Sequence, residues 1–252
     1  MTMLLQGRNA VIYGGAGSIG AAVARAFGRE GATVHLVGRT EPALRAVADD
    51  IRSAGGRAET AAFDAFDEAA VDAHARAVAD GFGSLDVSFN VIAHPSAFGT
   101  PVVEMDYADL ERDVTSRLRA MWLTTKAAAP QMIRQGSGVV LTFGGYGDPQ
   151  ANLGGLQVAF GAIEALRRTL ARELGQHGIR VLTLQTGGVP ESMTDEDPKT
   201  QRAVAEMTEK ATMLGRAATL DDVANAAVFA ASDWARTLTG TKLNLSVGAT
   251  VD

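Results

Sequence analysis

The 252-residue chain contains no cysteine, only three tyrosines (Tyr13, Tyr107 and Tyr146), and only four lysines (Lys126, Lys199, Lys210 and Lys242). Without cysteine there is no disulfide framework, no thiolate metal site and no sulfur nucleophile. The four histidines are scattered, so no metal ligand set is assigned. The chain has no run of Lys or Arg, and 23 basic against 29 acidic residues leave a net charge of −6. Nucleic acid is therefore not an expected partner. No apolar run is long enough for a membrane span, and the start, MTMLLQGRNAV, lacks the features of a secretory signal. A soluble, cytoplasmic protein with no membrane partner is expected. No Pro/Ser-rich linker, repeat or low-complexity segment interrupts residues 1–252, which are read as one domain.

What the chain does have is alternation. Short apolar, β-branched runs at 9–13, 33–37, 85–93, 138–143, 179–184 and 242–247 suit strands buried on both faces. Between them, alanine-rich amphipathic stretches at 19–30, 41–53, 68–80, 109–134 and 153–175 have helical period. This rhythm predicts an α/β fold, a doubly wound parallel sheet with helices on both faces. Residues 187–212 break the rhythm with GGVPES and the acidic TDEDP, and are expected to form a mobile lid beside a ligand crevice. Its methionines, Met193 and Met207, with Met213 just beyond, suit an adaptable, partly apolar ligand.

After the first strand comes Tyr13-Gly14-Gly15-Ala16-Gly17-Ser18-Ile19-Gly20, leading directly into a helix. Glycines at such a strand–turn–helix junction let backbone N–H groups approach a pyrophosphate at the positive end of the helix. Gly14, Gly17, Ser18, Ile19 and Gly20 are thus candidate cofactor-binding residues. The second strand ends in Gly38-Arg39. An acidic residue there would hold a ribose 2′-hydroxyl, whereas Arg39 offers a cation for a 2′-phosphate, so NADP(H) is favoured over NAD(H). The alternative is that Arg39 only solvates a loop.

These segments resemble, from end to end, the short-chain dehydrogenase/reductase family. The glycine loop is similar to that family's TGxxxGxG, with Tyr13 for its Thr and Ser18 for its middle Gly. Asp64, in AAFDAFD, falls where the family's adenine-contacting Asp follows the third strand. Asn90 matches the first residue of its NNAG, and the C-terminal GRAATLDDVANAAVFAASDWARTLTGTKLNLSVG is similar to its last helix, turn and strand. The resemblance implies a single Rossmann-type domain with seven parallel strands. It also implies nucleotide contacts from Asp64, Asn90 and Val189, and pairing of the 109–134 and 153–175 helices into a homodimer or homotetramer.

The resemblance also implies hydride transfer assisted by a Ser, a Tyr, a Lys four residues later and an Asn. Here the corresponding positions hold Phe143 or Gly144, then Leu156, Phe160 and Arg117. Spacing alone makes the same point. The residues four after Tyr13, Tyr107 and Tyr146 are Gly17, Glu111 and Gln150. The seven-residue offset of the enoyl-reductase variant finds Gly20, Val114 and Leu153. Three residues remain as candidate catalytic groups. Arg117, amid the stripe Leu110, Val114, Leu118, Met121, Trp122 and Thr125, can bind a substrate anion, stabilise an oxyanion or pair with Asp148. Tyr146 can act as a proton donor or as pocket wall, and His94 as an acid–base group or a plain hydrogen-bonding residue. His35, His74 and His177 are read as strand or surface residues.

Three classes of function fit. One is an NADPH-dependent reductase of a pre-activated small-molecule substrate, such as an iminium ion or a polarised enone, which needs no built-in acid. Another is a non-redox isomerase, dehydratase or cyclase on the same scaffold. The third is a non-catalytic NADP-binding subunit.

Overall fold

The computed structural model describes residues 3–94, 96, 99–144, 151–193 and 197–251. Seven parallel strands form a continuous sheet in the order β3-β2-β1-β4-β5-β6-β7. They are β1 (Asn9–Tyr13), β2 (Thr33–Gly38), β3 (Arg57–Ala62), β4 (Val87–Asn90), β5 (Gly138–Phe143), β6 (Ile179–Gln185) and β7 (Thr241–Asn244). Helices α1 (Ser18–Arg29), α2 (Glu41–Ser53), α3 (Glu68–Phe82), α4 (Tyr107–Gln135), α5 (Gly154–Leu174), α6 (Pro198–Ala211) and α7 (Leu220–Ala231) connect them.

Alternate strand residues feed two cores. Ile12, Leu36, Phe89, Leu141 and Leu184 pack with Phe27 of α1, Leu44 of α2 and Val228 of α7. Val11, Val37, Val140 and Val181 face Val71 of α3, Ala128 of α4 and Leu174 of α5. Each fully buried Ile, Leu or Phe contributes about 1.5–3 kcal/mol by removal from water. That is why both faces of the central strands are apolar and why periodicity exposed them in the sequence. β3 escaped that reading because RAETAA lies at the sheet edge, with only Ala58 buried. β4 is shorter than the apolar run suggested. The Asn90 side chain accepts the Ile92 N–H at 3.2 Å, turning the chain out of the sheet.

The buried face of α4 also differs from the expected stripe. It runs through Asp113, Arg117, Ala120, Met121, Thr124 and Ala128, while Trp122 is 45% exposed. Charged residues, rather than the first three apolar ones, turn inward because α5 packs on that side; a Cβ on Gly155 of α5 would lie 2.8 Å from the Asp113 side chain. Tyr13 is wholly buried with no partner for its hydroxyl among the described residues, and burial pushes its phenol far above the usual range. Tyr107 is exposed at the start of α4.

Candidate active site

The strand order reverses between β1 and β4, so the loops after these strands diverge and leave a crevice at the carboxyl edge of the sheet. A cleft of about 350 Å³ lies there, bounded by the start of α1, the β4 and β5 exits, α4, α5 and the segment after β6.

On one side is the glycine loop. Gly14 has φ of +89°, and a Cβ there would lie 2.7 Å from the Val91 carbonyl oxygen. A Cβ on Gly20 would lie 2.2 Å from the Gly14 carbonyl oxygen, so the loop and α1 close on each other only through glycine. Gly17 caps α1 with no side-chain bond, leaving the first-turn N–H groups to the cleft. An uncapped helix start with bare glycine backbone fits an anionic pyrophosphate. Gly17, Ser18, Ile19, Gly20, Asn90 and Val189 all line the cleft. Arg39 and Asp64 are exposed and stand outside its lining, with Asp64 accepting the Phe66 N–H at 3.0 Å.

On the other side, Arg117 lines the cleft but is tied inward. Its guanidinium donates to the Asp113 carbonyl at 3.2 Å and to the His94 carbonyl at 3.3 Å, and it lies 3.5 Å from the Asp113 carboxylate. Asp113 is wholly buried and accepts a bond from Ser96 at 3.2 Å. Among the described residues the ion-pair partner is Asp113, one helical turn before Arg117, an i,i+4 signal that the sequence held. Asp148 and Tyr146 lie outside the described residues.

His94 also lines the cleft, yet burial and the adjacent Arg117 push its pKa down to about 4. It is neutral at neutral pH and holds no proton to give as an imidazolium. His35 and His74 are likewise pushed to about 4, mainly by burial. His35 is a core residue of β2, and its ring lies 6.4 Å from that of His74.

The back wall is apolar: Met121, Phe160 and Ile163. Gly144 has φ of +123°, and a Cβ there would lie 2.2 Å from the Phe160 ring. The ring therefore occupies the space that a side chain at 144 would need. Leu156 is buried one turn before Phe160 and stands outside the cleft lining. Among the described lining residues there is no tyrosine, lysine or carboxylate. Thr142, unforeseen from the sequence, forms part of the wall, as do Thr186 and Ser192. The segment after β6 also reaches the site: Gly188, Val189 and Ser192 line the cleft, and the Ser18 hydroxyl donates to the Ser192 carbonyl at 3.3 Å.

A glycine-cradled helix start at the switch point of a parallel sheet belongs to nucleotide-binding enzymes, and residues 14–250 match the family model described as enoyl-(acyl carrier protein) reductase. The chain belongs to the short-chain dehydrogenase/reductase family of oxidoreductases. It is 30% identical over 255 residues to the 2,5-dichloro-2,5-cyclohexadiene-1,4-diol dehydrogenase LinX of Sphingobium indicum, covering 100% of this chain and 99% of the relative. Among solved structures it is similar to a short-chain dehydrogenase/reductase from Serratia marcescens, with 26% identity, a TM-score of 0.86, and coverage of 98% and 100%. It also resembles a 7α-hydroxysteroid dehydrogenase complexed with NADH and 7-oxo glycochenodeoxycholic acid, with 25% identity, a TM-score of 0.85, and coverage of 100% and 97%. In this short-chain dehydrogenase/reductase no helix among the described residues is long and apolar enough to cross a membrane. Nor do the described residues group three His, Asp or Glu side chains as a metal site would.

Proposed function

We propose that this protein is an NADPH-dependent reductase of a small, pre-activated electrophile, an iminium ion or a polarised conjugated system, with an active site that dispenses with the Tyr/Lys proton donor. The observation that carries the reading is the cleft itself, which joins an uncapped, glycine-cradled helix start to a wall of Met121, Phe160 and Ile163. Bound there, NADPH supplies a hydride. Gly17, Ser18, Ile19 and Gly20 hold its pyrophosphate, Arg39 its 2′-phosphate, and Asp64, Asn90 and Val189 the rest of the nucleotide. A substrate whose carbon is already electron-poor needs orientation rather than a built-in acid. That suits a wall in which Phe160 and the bare Gly144 exclude the usual polar pair and His94 is neutral. Arg117 acts as a brace between α4 and the loop after β4, held by its ion pair with Asp113. Residues 187–212 act as the lid, anchored where Ser192 meets Ser18. Exposed Trp122 on α4 and Val158 on α5 support a homodimer or homotetramer built on those helices.

The test is single-turnover oxidation of NADPH against a panel of iminium ions and enones, preceded by titration of NADPH and NADH. Tighter binding of NADPH and oxidation with at least one panel member are expected. The absence of any binding at millimolar NADPH refutes the reading. Turnover without NADPH oxidation identifies a non-redox enzyme instead.

A further inference from the structure

Beneath the cleft a chain of polar side chains crosses from β5 to α5. The hydroxyls of Thr142 on β5 and Thr183 on β6 lie 3.0 Å apart. Thr183 donates to the Glu164 carboxylate of α5 at 2.6 Å. That carboxylate is held by Arg167, whose guanidinium donates to it at 3.1 and 2.8 Å. Thr142, Thr183 and Arg167 are at most 4% exposed, and the Glu164 side chain is 16% exposed, so the chain is largely shielded from bulk water.

The chemistry of each group fixes the direction of the chain. A carboxylate facing a guanidinium only accepts, and a hydroxyl has a single proton to donate. Thr183 spends its proton on Glu164, so it can only accept from Thr142. Thr142 in turn commits its proton inward, to Thr183 or to the Leu182 carbonyl at 3.5 Å. Thr142 is among the residues that line the cleft, and with its proton committed inward the bonding capacity its hydroxyl retains is a lone pair. We infer that Thr142 is a hydrogen-bond acceptor locked towards the cleft, and that it selects substrates presenting an N–H donor, an N–H iminium ion above all. Thr183, Glu164 and Arg167 are positioning residues that hold Thr142 in that state.

The inference rests on the reading that the cleft reduces a pre-activated electrophile, and it narrows the class. Hydride adds to the iminium carbon, the C=N π pair becomes the nitrogen lone pair, and NADPH leaves as NADP⁺. The N–H bond is retained throughout, so charge balances without an acid, and the N–H···Thr142 bond orients the carbon. A carbonyl oxygen, which only accepts, would face another acceptor and be disfavoured.

The test compares protonated 1-pyrroline with N-methyl-1-pyrrolinium, which share ring and charge and differ in the donor. Binding is measured by calorimetry on the NADP⁺-loaded protein, and NADPH oxidation is followed separately. The wild type is expected to prefer the N–H ion by about tenfold, the effect of one charge-assisted hydrogen bond. Thr142→Val should bring the two ions to equal affinity. Thr183→Val frees the Thr142 proton, so it should weaken the N–H ion while strengthening cyclopentanone; a merely structural role would weaken all three ligands alike. Equal affinities in the wild type, no binding of either ion, or a preference unchanged in Thr142→Val overturns the inference. If the preference holds but neither ion oxidises NADPH, the reductase reading falls and the acceptor assignment stands. If both ions are reduced with no preference, the outcome is reversed.

Discussion

Lowering the pH from 7 to 5 will destabilise this protein, and His35 is the group through which the effect is best isolated. His35 sits on β2 with 2% of its surface exposed, its ring edge-on to Phe82 at 4.6 Å. Its Nε2 has no hydrogen-bond partner among the described residues. Burial, and then the neighbouring His74, bring its pKa down to about 4 from an ordinary 6.5. The folded state therefore disfavours the proton that the unfolded chain accepts. Stability is complete above about pH 6.5 and declines as pH falls from there towards 4. By linkage this one group removes about 2 kcal/mol of stability by pH 5. His35→Phe keeps a planar ring of similar shape and deletes both the proton site and the unpartnered nitrogen. Urea unfolding at pH 7, 6 and 5 should show the variant losing about 2 kcal/mol less than the wild type over that range. Parallel losses in the two proteins would refute the reasoning. His74 and His94, also pushed to about 4, add to the wild-type decline in the same direction.

Other outcomes follow from single contacts. Gly20→Ala places a Cβ 2.2 Å from the Gly14 carbonyl, so the loop must open and NADPH affinity should fall at least tenfold in a fluorescence titration. Arg117→Leu leaves the wholly buried Asp113 without its guanidinium and should cost about 3–5 kcal/mol in denaturant unfolding. In the Asp113→Asn background the same change should cost less. Gly144→Ser meets the Phe160 ring and a strained φ and should destabilise, with much of the loss recovered by Phe160→Ala in a double-mutant cycle. Arg39→Ser should weaken NADPH by about tenfold, as expected for loss of a charge-assisted bond to phosphate, and leave NADH nearly unchanged in the same titration.

Much of the architecture was legible because two-sided burial leaves a mark on the chain. Strands such as Asn9–Tyr13 and Gly138–Phe143 must be apolar on both faces, and a glycine loop must be glycine where a Cβ would strike backbone, as at Gly14 and Gly20. β3 was not legible by periodicity because an edge strand buries little. The site was legible only in part. Arg117 stands out by residue type amid apolar neighbours, whereas its contact with Asp113 depends on α5 pressing Asp113 into the core beside it; Asp148, the partner expected from the sequence, lies outside the described residues. Thr142, Thr183 and Glu164 are ordinary residues 19 or more positions apart in pairwise sequence contact, and nothing in their spacing announces a chain of bonds.

By itself, then, the sequence determined the parallel α/β sheet, the place of the glycine loop and the lack of any tyrosine with a lysine four or seven residues on, since these rest on local periodicity, turn sterics and residue counts. The tertiary structure alone decided that burial pushes the pKa of His94 down, that Arg117 bonds to Asp113 and to the His94 carbonyl, that Phe160 fills the space beside Gly144, and that Thr142 lines the cleft within bonding distance of Thr183. Those properties depend on burial and on which atoms meet across α4, α5 and the ends of β5 and β6, and no single segment of the chain carries that information.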